Sequence, residues 1–168
     1  MQIILRCVLD VEEDVIRDIS ISDDKTLENL HHEIISSFML KPGEMAAFYK
    51  TNEVWEQGEE IPLIDMSDIG ESSVMHKVNI SEIFTDKTSK LIYLYDFMNL
   101  WTFYVMVHDV KPDITESTQT ILSVGAMPKE AETKQFKAES TGEDLLNDEF
   151  DDDYDDFGPF DEDYSDFL

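Results

Sequence analysis

The sequence predicts an α+β fold: one mainly antiparallel sheet with a principal helix packed on one face. Three observations lead there. Residues 2–9 (QIILRCVL) and 15–21 (VIRDISI) are apolar runs of strand length, and in the second Val15, Arg17, Ile19 and Ile21 alternate with Ile16, Asp18 and Ser20. Residues 26–40 instead place Leu27, Leu30, His31, Ile34, Ile35 and Phe38 at the spacing of one helix face. Residues 90–107, KLIYLYDFMNLWTFYVMV, are rich in aromatic and β-branched side chains and broken only by DFMN, as two strands joined by a turn would be. A hairpin followed by an amphipathic helix leaves a β-grasp-like architecture as the alternative.

In chain order, the acidic VEED forms the first hairpin loop. Asp23, Asp24 or Thr26 caps the helix, where acids suit the dipole, and Pro42-Gly43 ends it. MAAFYK (45–50) is a strand and Thr51-Asn52 a turn; the irregular segment that follows holds at most a short edge strand. VNISEIFTD (78–86) is a short helix, with Ser81 as its cap and Ile83 and Phe84 turned inward. Strands over 90–95 and 100–109 follow, stopped by Pro112, and STQTILSVGAMP (117–128) supplies a last strand closed by Pro128. The domain organisation is a globular body at 1–130, a polar linker or short helix at 131–141, and an acidic aromatic tail at 142–168, expected to be largely disordered.

With 42% hydrophobic and 11% aromatic residues, the 168-residue chain can bury a core. Its formal charge is −27, and residues 142–168 hold 13 of the 39 acids and none of the 12 bases. Phosphate contacts need Lys and Arg, so direct nucleic-acid binding is not expected; basic proteins fit better. One cysteine, Cys7, excludes an internal disulfide and fits a reducing, cytoplasmic setting. MQIILRCVLD has no basic n-region and reads as a strand rather than a signal peptide. Residues 90–107 are the membrane candidate, but Asp96 near the centre would cost roughly 2.5–3.5 kcal/mol on insertion; no membrane association is expected.

Two segments resemble one family. DDKTLENLHHEII is similar to the "tL-x-x-LH-x-x-I" helix, and KLIYLYDFMNLWTFYVMV to the "Y-x-YDFGD-x-W-x-H-x-I" hairpin, of the plasmid-borne orf-three-like family, also called the transposon-passenger TnpR family. Leu30, His31, Asp96, Phe97 and Trp101 match in residue and spacing. Met98 stands where the family has Gly, Asn99 where it has Asp, and Phe103 where it has His. The resemblance implies an α+β domain over about residues 1–130 and names no reaction. The TnpR label points to mobile-element biology, but with only Arg6 and Arg17 as arginines no recombinase activity is carried over.

No complete catalytic set is visible, and no cofactor or metal is expected. Asp96 is either a metal-binding or basic carboxylate at a hairpin end, or turn chemistry, which is favoured because Asp and Asn bond nearby backbone groups. A positive φ in that turn is expected to fall on Asn99 rather than Met98. His31 shares the apolar helix face and reads as a core residue; Glu28 and His32 supply two ligands, which do not make a metal site. Cys7 reads as an inert buried thiol, facing away from Arg6. Trp101 and Trp55, with the tyrosines of 93–104, are core or an aromatic contact surface. The alternative to a pure interaction role is a metal-dependent enzyme or small-ligand domain with Asp96, His31 and Trp101 around one cleft.

The tail, GEDLLNDEFDDDYDDFGPFDEDYSDFL, places Phe150, Tyr154, Phe157, Phe160, Tyr164 and Phe167 at steps of three or four, the spacing of one helix face. Gly158-Pro159 interrupts it. Repulsion keeps such a segment open when free, whereas a basic partner relieves the charge and buries the rings. The expected function is a non-enzymatic interaction module whose tail docks on a basic protein.

Overall fold

A computed structural model of the chain describes residues 1–67, 70, 73–113 and 117–129. Among them the elements are β1 (Gln2–Leu9), β2 (Ile16–Ser22), α1 (Leu27–Ser37), β3 (Ala46–Thr51), β4 (Gln57–Pro62), α2 (Ile80–Ile83), β5 (Lys90–Tyr95), β6 (Trp101–Lys111) and β7 (Gln119–Val124), with a 3-10 turn at Met75–Lys77 before α2. The seven strands make one sheet in the order β4-β3-β5-β6-β1-β2-β7. Every pairing is antiparallel. The central β6–β1 pair therefore runs antiparallel, unlike the parallel central pair of a β-grasp sheet, and the β-grasp-like alternative is set aside. The linker at 131–141 and the tail at 142–168 lie outside the described residues.

Alternation sorts the side chains between the two faces of the sheet. Ile3, Leu5, Cys7 and Leu9 of β1, Leu91, Tyr93 and Tyr95 of β5, and Phe103 and Val105 of β6 join Leu27, Leu30, Ile34 and Phe38 of α1 in the main core. Phe38 meets Phe103 at 4.7 Å between ring centres, and Phe103 meets Tyr93 at 5.6 Å. A smaller cluster, Ala47, Tyr49 and Ile92 with Trp55, Leu94 and Tyr104 packed on it, is built from the alternate positions. Trp55 thus closes against Tyr104 (4.9 Å) and under the Lys90 ammonium. Arg6 also takes the face opposite Cys7, where it donates two 2.8 Å hydrogen bonds to the buried Asp18 carboxylate.

Local chemistry sets the boundaries. Of the three caps offered by the sequence, Thr26 is used: its hydroxyl accepts from Asn29 N, and Asn29 Oδ1 accepts from Thr26 N. The helix ends at Ser37, before Pro42-Gly43 is reached. Met39 takes a left-handed φ of 56°, with Leu40 N donating to Ile35 O and Met39 N to Ser36 O, the pattern of a Schellman stop. In α2 the cap is Asn79 rather than Ser81, and Glu82 reaches back to Asn79 N at 2.6 Å. β7 is closed by Gly125 rather than Pro128: at φ 73°, an added Cβ would sit 2.1 Å from Asp14 O. Residues 90–107 form two strands and a turn, and no helix among the described residues is long and apolar enough to cross a membrane.

Candidate functional site

The β5–β6 turn is built by Asp96. Its backbone N donates to Met45 O at 2.8 Å, tying the turn to the loop between α1 and β3. Oδ1 accepts from Met98 N (3.1 Å) and Asn99 N (3.4 Å), and Oδ2 accepts from Asn99 Nδ2 (2.5 Å). These are the turn bonds that the sequence favours for an Asp in this place. The left-handed residues are Asp96 (φ 59°) and Leu100 (φ 54°), not Asn99. The turn places its strain on either side of the pair where the sequence sought it. Within the turn, Phe97, Met98 and Leu100 are exposed, Met98 at 91%.

A cleft of about 420 Å³ opens beside this turn. The α1–β3 loop lends it Leu40, Lys41 and Glu44; β5 and the turn lend Tyr95, Asp96 and Asn99. Trp101, the first residue of β6, and Lys129, beyond β7, complete the wall. The Tyr95 hydroxyl donates to Lys41 O and so fixes the loop that forms one side. Burial raises the Tyr95 pKa, a hydrogen bond from the Glu44 backbone works against it, and the Glu44 and Asp96 charges add to the rise, so the hydroxyl stays protonated and keeps that bond.

Asp96 and Trp101 therefore share a cleft, while His31 is not part of its wall. The His31 ring is buried at 3% exposure, and its Nδ1 shares a 2.6 Å hydrogen bond with the Tyr93 hydroxyl. Tyr95 stands against the same ring at 6.3 Å between ring centres. Burial, and then the charge of His32, lower the His31 pKa to about 4, leaving the imidazole neutral near pH 7. Tyr93 is pushed well above the usual phenol range, chiefly by burial. Cys7 is fully buried, as expected, and its thiol is pushed up by desolvation first and by Asp18 second. Among the described residues no group of three or more His, Cys, Asp and Glu side chains is placed to hold a metal ion.

Sequence reasoning picked out Asp96 and Trp101 but missed Lys41, Glu44, Tyr95 and Lys129 as cleft residues. The two lysines lie 88 positions apart on irregular segments, so no local period marks them. The tail residues Phe150, Tyr154, Phe157, Phe160, Tyr164 and Phe167 lie outside the described residues.

Comparison with known proteins gives a family and a fold. The family model described as plasmid pRiA4b ORF-3-like protein matches residues 3–165, a longer stretch than the two motifs alone suggest. A crystal structure of a protein of unknown function, MM3350 from Methanosarcina mazei Go1, is similar with a TM-score of 0.60. The two are 20% identical over 76% of this chain and 72% of that one, a likeness of fold alone. No curated protein matches the chain.

Proposed function

This chain belongs to the plasmid pRiA4b ORF-3-like family, and from that premise we propose that it is a non-enzymatic interaction module whose acidic C-terminal segment docks on a basic protein partner. The observation that carries the reading is the segregation of chemistry along the chain. Residues 142–168 contain 13 acids, no base and six rings at three- and four-residue steps. A segment that served only solubility would need the acids but not the ring spacing. Carboxylates steer the encounter and rings supply the buried contact, a division of labour common in segments that order on binding. The family match runs through most of this segment.

The test is affinity capture with the full chain, with a chain ending at residue 141, and with a full chain carrying Phe157→Ser, Phe160→Ser and Tyr164→Ser. The reading expects a basic partner retained by the first and lost by both others. If the ring variant captures as well as the full chain, the rings are idle and the acids act as a plain polyanion. Identical capture by all three ends the proposal.

A second reading is favoured by the cleft beside Trp101: a small-ligand binding site. Its volume, about 420 Å³, falls within the roughly 300–1,000 Å³ common for such sites. Three of the four left-handed non-glycine residues, Met39, Asp96 and Leu100, adjoin or line it, and backbone strain of that kind gathers at functional sites. The metal-dependent form of the alternative loses its footing, because Asp96 spends its carboxylate on the turn and His31 faces Tyr93 instead of the cleft.

A further inference from the structure

We propose that the cleft takes a small planar aromatic carboxylate, its ring against Trp101 and its carboxylate between Lys41 and Lys129; this deepens the small-ligand reading and rests on it. The argument begins with the lysines. The ion pairs among the described residues use the N-terminus, Arg6 and Lys50. Lys41 and Lys129 are exposed and have no ion pair there, yet both line one cleft in a chain with only 12 basic residues against 39 acids. Two ammonium groups on one concavity, neither in an ion pair among the described residues, offer charged donors to an anion.

Glu44 and Asp96 stand in the same wall, so its formal charges balance; the groups differ in what they present. Asp96 is buried and its carboxylate is turned to the N–H groups of its own turn, whereas both lysines are exposed. The remaining groups set the shape of the ligand. Trp101 is half-buried at the cleft wall and offers a flat surface for a ring. Asn99 Nδ2 is committed to Asp96, so its amide oxygen remains as an acceptor. A ring with one N–H or O–H donor meets that acceptor or Glu44, and a carboxylate meets the lysines. Tyr95 holds the Lys41 backbone through its hydroxyl, so this side of the cleft is formed before a ligand arrives.

The experiment is isothermal titration calorimetry of the full chain with indole-3-acetate, with indole-3-acetamide and with inorganic phosphate. The acid should bind, and the amide, equal in shape but uncharged, should bind at least about tenfold more weakly. The double variant Lys41→Gln, Lys129→Gln should bring the acid down to the level of the amide and leave the amide unchanged. Both lysines are exposed, so the fold should survive, as circular dichroism would report. Equal binding of acid and amide, unaffected by the double variant, overturns the carboxylate assignment while leaving a small-ligand cleft. Phosphate binding as tightly as the acid overturns the role of the ring. No binding of any probe at several millimolar overturns both this inference and the reading beneath it.

Discussion

Two neighbouring parts of the same pair of strands obey opposite rules. At Tyr93 and Phe103, which face each other in the β5–β6 register, every ring is enclosed: both residues are 0% exposed, and His31 and Tyr93 satisfy one another. A few residues further on, the turn shows Phe97, Met98 and Leu100 to solvent and carries two left-handed residues. The first region spends its sequence on stability. The second accepts strain and exposed apolar surface next to an open cleft, as binding sites do. The difference shows that a continuous run of apolar and aromatic residues is not one environment. A single Asp with three turn bonds is enough to divide a packed interior from a surface.

Substitutions should separate the two regions clearly. The largest effect is expected from Phe103→Ala, which opens a cavity between Phe38 and Tyr93. It should cost about 3–5 kcal/mol in urea unfolding, and a loss below 1 kcal/mol would mean the interior is not the tight core described. Next comes acid. His31 has its folded-state pKa lowered to about 4, so the folded protein binds a proton less readily than the unfolded chain, whose His value is near 6.5. Its contribution is complete above the unfolded value and is lost as pH falls through the window from about 6.5 to 4, by up to ~3 kcal/mol. Denaturant unfolding at steps from pH 7 to 4.5 should show this decline in the parent chain and a smaller one in His31→Gln; parallel profiles would take the buried neutral imidazole out of the account. The smallest effect belongs to the turn. Leu100→Gly removes a left-handed leucine that is 42% exposed. It should raise stability by about 0.5–1 kcal/mol, the relief of strain exceeding the backbone entropy of glycine. A loss above 1 kcal/mol would show that Leu100 packs more than its exposure implies.

Much of the fold was legible in the sequence. The strands at 2–9 and 90–95 were placed at their observed bounds, those at 15–21 and 100–109 lie within a residue or two of theirs, and Thr26 was among the offered caps. The errors were at boundaries: Pro42-Gly43 and Pro128 were chosen as stops and Ser81 as a start, where Met39, Gly125 and Asn79 act. Proline advertises a break in composition, whereas a left-handed Met39 is held by hydrogen bonds to Ile35 and Ser36 and has no signature of its own. Asp96 and Trp101 were legible as a pair because one turn joins them.

What the sequence determined by itself is periodic or local: alternation for strands, helical spacing for α1, the turn chemistry of Asp96, and the shift in composition that marks residues 142–168 as acidic and ring-bearing. These follow from geometry repeated every two or four residues, so neighbours in the chain suffice to reveal them. Tertiary structure alone decided that His31 bonds Tyr93 and stays out of the cleft wall that holds Asp96, and that Lys41 and Lys129 line one cleft with Trp101. Those outcomes depend on which distant segments the sheet order brings together, and long-range packing leaves no period to read.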